Sequence, residues 1–221
     1  MLESFLQILA GRRPKRTPWV ADLTYWIDSR AATDPVAAAA KNEEGFLALC
    51  DRLKVMPYYW YAQFWAGEPE FEGVTVHEGT SGDTRQVEWR LPAGELLAVY
   101  RRLGGTWSEA PARYPVQDER DLDLLLDLME RRRWRPAHLE EYPARLARWA
   151  QQGGLPCLGF PRSPLSALFT EWTGFEYGSL LAMDRPDKVH RILDCMEQQE
   201  RPLLEAITRV VDARDVLEQT N

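Results

Sequence analysis

The stretch LPCLGFPRSP, residues 155–164, joins a run of apolar residues to a turn that carries two prolines. The apolar run, Leu155 to Phe160, predicts a buried strand, and Ser163-Pro164 is typical of the first residues of a helix. In an α/β protein, ligands bind where a strand leads into a helix, because free N–H groups at the helix start point towards that junction. Arg162 lies in this junction and is therefore a candidate substrate contact.

Two more segments predict strands of the same kind. Residues 18–23 and 56–61 are short apolar runs, and Asp34-Pro35 between them is typical of a helix start. We expect that helix to run from about residue 36 to residue 53. Strands that alternate with helices pair in parallel, so the sequence predicts an α/β fold, formed as a single domain over residues 1–221.

The segment near 73–102 has a different pattern. Val87, Trp89 and Leu91 alternate with polar residues, and a turn-forming cluster, residues 79–83, precedes them. Alternation with a period of two predicts an antiparallel hairpin or meander. We interpret this segment as an insertion into the α/β scaffold.

Composition excludes several classes of function. The net charge of −7 and the isoelectric point near 5.1 argue against nucleic-acid binding. No stretch is long and apolar enough for a membrane span. The three cysteines are far apart and form no C-x-x-C pair, which favours free thiols in the cytoplasm, and the three histidines show no ligand spacing with them. We therefore expect no metal site.

Four segments together carry a resemblance to the uroporphyrinogen decarboxylase superfamily, including its corrinoid-linked methyltransferase branch. Each is similar to a family motif, and they occur in the family's order: Gly11 to Pro18, similar to G-x-x-P-D-R-x-P; Gly104-Gly105-Thr106 with Tyr114 to Leu122; Gly159 to Gly174; and Arg185 to Val189. The resemblance covers nearly all of this chain but only the N-terminal portion of the family domain.

This resemblance implies a partial (β/α)₈ barrel of the TIM type and a decarboxylase or methyltransferase that acts on a carboxylated or corrinoid-linked small molecule. The family's first loop holds its substrate with several arginines, whereas here Arg30 is the one cation from Asp22 to Arg30. The local motifs therefore favour a methyltransferase-like activity over uroporphyrinogen decarboxylation. Zinc or a corrinoid is expected only if a separate C-terminal half is supplied.

The candidate site residues follow the predicted strands. Asp22 and Arg162 are the candidate catalytic residues, as an acid–base group and a carboxylate or phosphate contact. Each has a structural alternative: Arg162 could pair with Glu171, and Asp22 could be a solvated or paired loop charge. The candidate substrate-binding residues, whose aromatic members could instead fill a core, are Tyr25, Arg30, Tyr59, Tyr61 and Glu171.

A second function remains open at this point. A half barrel leaves a strand edge unpaired and apolar helix faces uncovered. Such a chain would act as a non-catalytic subunit or interaction module. It would pair with a second copy of itself or with a partner that supplies the missing half.

Overall fold

Helices precede a run of consecutive strands, and mostly helical chain follows, in the computed structural model, which describes residues 2–58, 64–104 and 108–211. The α-helices are α1 (Leu2–Leu9), α2 (Thr24–Arg30), α3 (Pro35–Ala39), α4 (Glu43–Leu53), α5 (Glu119–Arg131), α6 (Tyr142–Gln151), α7 (Pro164–Ala167), α8 (Phe175–Asp184) and α9 (Pro186–Val210). The strands are β1 (Phe64–Trp65), β2 (Gly67–Phe71), β3 (Thr75–Ser81), β4 (Thr84–Leu91), β5 (Gly94–Arg102), β6 (Glu109–Arg113), β7 (Arg132–Pro136) and β8 (Leu158–Gly159). The α/β class expected from the sequence is confirmed in this general form.

The largest sheet is antiparallel, with strand order β3-β4-β5-β6. Thr75 pairs with Arg90 and Leu91 pairs with Gly94, so the alternating segment near 73–102 is the meander that the sequence predicts. The sheet continues beyond that segment through β6. The strands of the described residues do not close into a barrel.

The predicted strands at 18–23 and 155–160 are much shorter than expected, and residues 59–61 of the predicted strand at 56–61 lie outside the described residues. Val20 and Met56 form an isolated parallel bridge, and β1 pairs in parallel with β8. In the run 155–160, the two residues Leu158 and Gly159 are in a strand. Each predicted run contains a proline, and a proline has no N–H group to donate to a neighbouring strand. These prolines are Pro18, the first residue of its run, and Pro57 and Pro156, which lie inside theirs.

The helix predicted for residues 36–53 is in fact two helices. Asp34 caps α3 as expected, and its Oδ1 accepts a hydrogen bond from the Val36 N–H at 2.8 Å. Asn42 then caps α4, because its Oδ1 accepts from the Gly45 N–H at 2.8 Å. A Cβ at Gly45 would lie 2.1 Å from the Ala39 carbonyl oxygen, so the close corner between the two helices requires glycine here.

The chain divides into two compact units. The described residues of the first unit belong to Met1–Ala66, Pro136–Gly159 and Glu205–Asn221, and those of the second belong to Gly67–Arg135 and Phe160–Leu204. Within the first unit, Phe46 and Trp149 pack in a core of α2, α4 and α6 residues. The prediction of a single domain is not tested by this division.

A carboxylate ties α4 to α6 in the first unit. Glu43 accepts hydrogen bonds from Arg145 Nε, from Arg148 Nη1 at 2.9 Å and from Trp149 Nε1 at 2.6 Å. The Arg145 side chain is buried, so this carboxylate neutralises a charge that has left solvent.

The second unit packs the antiparallel sheet against α5, α8 and α9. Its core includes Leu96, Leu125, Leu168, Ile192 and Met196, all nearly or fully buried. Pro202 lies inside α9, which runs as one helix from Pro186 to Val210. None of the described helices combines the length and the apolar character that crossing a lipid bilayer requires.

A π-helix, Leu168–Thr173, continues α7 towards α8. Thr173 Oγ1 donates either to the Leu168 carbonyl at 2.8 Å or to the Gly174 carbonyl at 3.0 Å. Gly178 lies against this turn: a Cβ there would be 2.4 Å from Thr173 Oγ1 and 2.5 Å from a ring carbon of Phe169. Wide turns of this kind are frequent at functional sites, and this one carries Glu171.

Candidate functional site

Arg162 lies in the segment between β8 and α7, three residues after Gly159. Its side chain is 61% exposed, and its Nε lies 3.2 Å from Oε1 of Glu171. The structure therefore brings together two of the residues that the sequence singled out. Arg162 and Glu171 form the ion pair that the sequence analysis named as the structural explanation for Arg162. The guanidinium remains accessible to a ligand on its solvent side.

Glu171 is held in the π-helix and is half-buried. Burial raises the pKa of its carboxyl group, while Arg162 and Arg132 act in the opposite direction. Two arginines therefore share the electrostatic environment of one carboxylate. A carboxylate on a ligand could replace Glu171 at Arg162, because an arginine fork binds either group in the same way.

Arg132, the first residue of β7, is 5% exposed. Its Nε donates to Gln199 Oε1 at 3.1 Å, and its guanidinium carbon lies 5.1 Å from the centre of the Trp134 ring. Its Nη2 is 3.8 Å from Glu200 Oε1, beyond hydrogen-bond distance. In the described part of the chain this buried Nη2 has no hydrogen-bond partner. Burial lowers the pKa of Arg132.

Glu200 faces this arginine from α9 and is 7% exposed. Burial raises the pKa of its carboxyl group to about 7; Arg132 opposes the rise, and Glu171 and Glu197 add to it. A carboxyl group with such a pKa exchanges its proton near neutral pH, which is the property required of a general acid or base.

We call Arg132, Arg162, Glu171 and Glu200 the charge cluster of the second unit. It contains two arginines and two carboxyl groups whose pKa values are raised. The cluster can bind a carboxylate and hold a proton. Among the described residues, no group of three or more His, Cys, Asp and Glu side chains could hold a metal ion.

The other candidate residues belong to the first unit. Asp22 is exposed, and its Oδ1 accepts from the Thr24 N–H at 3.0 Å, where it orders the start of α2. Tyr25 and Arg30 are exposed residues of α2. Tyr59 and Tyr61 lie outside the described residues. Asp22 and Arg162, the candidate catalytic residues, are thus in different units.

Sequence reasoning missed Arg132 and Glu200. Arg132 directly follows α5 and begins β7, and a cation at the end of a helix ordinarily complements the helix dipole, so its position carries no functional signal. Glu200 follows Met196 by four residues and precedes Leu203 by three, and both of these neighbours are fully buried. A glutamate at this spacing falls on the apolar face of the helix, and this signal could have identified it.

The geometry of the charge cluster is the basis for any functional assignment, because this chain matches no known family model, no curated protein and no solved structure.

Proposed function

We propose that this chain is a uroporphyrinogen-decarboxylase-like α/β protein that acts on a carboxylated or corrinoid-linked small molecule. The methyltransferase-like activity is favoured over uroporphyrinogen decarboxylation, and Arg162 is the residue that binds the substrate carboxylate. The observation that carries the proposal is the exposed guanidinium of Arg162 shortly after β8, paired with a carboxylate that a ligand can replace.

The parallel pairings of the first unit support the proposed origin in a partial (β/α)₈ barrel. Val20 pairs with Met56, and Phe64 pairs with Leu158, in each case in parallel. Along the chain, helices α2, α3 and α4 lie between Val20 and Met56. Parallel neighbours connected through helices are the repeating unit of such barrels.

The chemistry of the charge cluster also supports an acidic substrate. Removing a carboxyl group leaves an electron pair on carbon that must take up a proton. Transferring a methyl group requires a nucleophilic acceptor to be held in line with the methyl carbon, while the donor atom leaves with the electrons of the broken bond; a carboxylate on either reactant can serve as the anchor. Glu171 can supply the proton, and Arg162 can hold the anion. Asp22 stays the proposed acid–base residue of the first unit. Free cysteines favour a cytoplasmic setting.

The test uses uroporphyrin III, an octacarboxylate, as a binding probe and anaerobic uroporphyrinogen III as a substrate. We expect Arg162→Ala to weaken uroporphyrin binding about tenfold or more, because one charged contact is lost. The matched control is Arg191→Ala, since Arg191 is 67% exposed and also lies 3.2 Å from a glutamate oxygen.

The two measurements separate the possible outcomes. Binding that depends on Arg162 supports its role in holding a substrate carboxylate, and a lack of coproporphyrinogen release argues against uroporphyrinogen decarboxylation. Turnover to coproporphyrinogen would reverse our preference between the two activities. Equal binding by both variants would overturn the assignment of Arg162.

A second function is favoured by the edge at Val20. Among the described residues this segment has a strand neighbour on one side, Met56, and the adjacent Trp19 is 72% exposed. We propose as the alternative that a second copy of the chain, or a separate partner, pairs with this edge. Light scattering tests it: the wild type should dimerise at micromolar concentration, and Trp19→Lys should be monomeric. If the wild type is monomeric, the edge is expected to bind a separate partner, and Trp19→Lys should fail to bind that partner. A wild type that binds neither a second copy nor a separate partner contradicts the alternative.

A further inference from the structure

A run of basic residues follows α1 in the first unit. We call residues 12–16, with the sequence RRPKR, the basic segment. Its four cations are exposed, and among the described residues none of them pairs with a carboxylate. The nearest acidic residues along the chain are Glu3 and Asp22, and each accepts a hydrogen bond from a residue close to it in sequence. The basic segment is therefore a positive patch on a protein whose net charge is −7.

The other arginine-rich run of the chain, residues 131–135, differs in this respect. Three of its four arginines lie 3.8 Å or less from a carboxylate oxygen, and these are Arg131, Arg132 and Arg135. A cation that already faces a carboxylate has less attraction left for an anionic partner. The basic segment keeps its full charge, and this distinguishes it as a candidate surface for an anion.

Exposed apolar side chains lie on both sides of the basic segment. Leu9, the last residue of α1, is 67% exposed, and Trp19 is exposed after the segment. Leu6 of α1 packs in a small core with Met56, and the Met56 N–H donates to the Trp19 carbonyl at 2.7 Å. Both flanks of the basic segment are thus anchored at Met56. The resulting surface combines four cations with exposed apolar groups.

We propose that this surface binds an anionic lipid bilayer, with the basic segment against the lipid headgroups and with Leu9 and Trp19 at the boundary to the acyl chains. Binding of this kind strengthens both with the apolar area that is inserted and with the attraction of cations to anionic lipids. Tryptophan favours this boundary, because its ring is apolar and its N–H group can reach a polar acceptor. A nucleic acid would also attract the cations, but it has no apolar layer that accepts Leu9. The proposal depends neither on the proposed enzymatic function nor on strand pairing at Val20.

The probes are phosphatidylcholine vesicles with and without about 30 mol% phosphatidylserine, and binding is measured by co-sedimentation. We expect the wild type to bind the anionic vesicles, and to bind them more weakly as added salt screens the charges. It should bind the neutral vesicles at least about tenfold more weakly. The double variant Arg12→Gln with Arg13→Gln removes two of the four charges and should weaken binding to anionic vesicles about thirtyfold. The matched control is Arg113→Gln with Arg120→Gln, which removes the same charge from exposed positions of the second unit and should bind like the wild type.

Leu9→Ser tests the apolar contribution without a change in charge, and it should weaken binding to anionic vesicles about fivefold. Its control is Leu204→Ser, because Leu204 is also an exposed leucine of a helix and should have no effect on vesicle binding. Bromine-labelled acyl chains, which quench tryptophan fluorescence on contact, give a second readout. Trp19→Phe keeps an aromatic ring, so it should still bind the vesicles but show less quenching than the wild type.

Four results would overturn the proposal. They are a wild type that does not bind anionic vesicles, equal binding to neutral vesicles, equal effects of the two arginine pairs, and equal effects of the two leucine substitutions. Tighter binding to a single-stranded oligonucleotide than to vesicles of the same total charge would also overturn it, because the basic segment would then be a nucleic-acid contact.

Discussion

Replacing Glu200 with glutamine tests whether burial or the nearby Arg132 has the larger effect on the ionisation of Glu200. Glutamine resembles the protonated carboxyl group in shape and charge. Burial raises the pKa of Glu200 from its ordinary 4.5 to about 7, which means that the folded protein holds this proton more tightly than the unfolded chain does. Protonated Glu200 therefore stabilises the fold fully below pH 4.5, and the contribution is lost as the pH rises through 7.

The size of the effect follows from the same pKa values. At about 1.4 kcal/mol for each pH unit, a rise from 4.5 to about 7 sets a ceiling of about 3 kcal/mol. Arg132, 3.8 Å away, favours the ionised carboxylate and would lose that partner in the variant. We therefore expect Glu200→Gln to be more stable than the wild type by about 1–3 kcal/mol at pH 8.5, and nearly equal to it at pH 4.5.

The assay is urea unfolding followed by tryptophan fluorescence at several pH values between 4.5 and 8.5. The difference in free energy of unfolding between variant and wild type should grow with pH, with its midpoint between 4.5 and 7. Glu205→Gln is the control, because Glu205 is an exposed residue of the same helix and does not contribute to the raised pKa of Glu200. It should change the free energy of unfolding by less than about 0.5 kcal/mol at every pH. If Glu200→Gln is less stable than the wild type at pH 8.5, the ion pair with Arg132 outweighs burial and the reasoning is wrong.

Two further predictions concern stability. Glu43→Ala should lower the free energy of unfolding, measured by urea denaturation, by about 2–4 kcal/mol, because it removes the carboxylate that neutralises the buried Arg145. The control is Glu44→Ala, at the next and exposed position, which should change the free energy of unfolding by less than about 0.5 kcal/mol. Gly178→Ala should lower the thermal unfolding temperature, at a cost of about 1–2 kcal/mol in free energy of unfolding, because its methyl group would overlap the threonine and phenylalanine side chains packed there. The control is Gly79→Ala, whose added methyl group meets nothing within 4 Å and should be neutral or slightly stabilising. Equal losses of stability in the two variants would show that the overlap is not the cause.

Local signals in the sequence predicted the parts of the fold that depend on neighbouring residues. Asp34 caps α3 as the Asp34-Pro35 pair predicted, since capping requires a side-chain oxygen and an N–H group two or three residues away. The alternation of Val87, Trp89 and Leu91 with polar residues predicted the antiparallel meander for a similar reason, because side chains along one strand point alternately to its two faces.

The sequence was less informative where partners are distant along the chain. The lengths of the parallel strands depend on which N–H groups find acceptors far away, and prolines shorten those strands in ways that apolar runs do not reveal. Arg162 and Glu171 were found because they are near in sequence and next to a predicted junction. Arg132 and Glu200 were missed because 68 residues separate them, and neither belongs to a local motif.

The interleaved path of the chain has a consequence for how the protein is made. The chain passes from one unit to the other after Ala66, Arg135, Gly159 and Leu204, so neither unit is a continuous gene segment. The core of the second unit needs Ile192 and Met196, which emerge from the ribosome about sixty residues after Arg135. Until then its meander and α5 await their packing partner, and we expect nascent chains stalled before α9 to be sensitive to proteases and to bind chaperones.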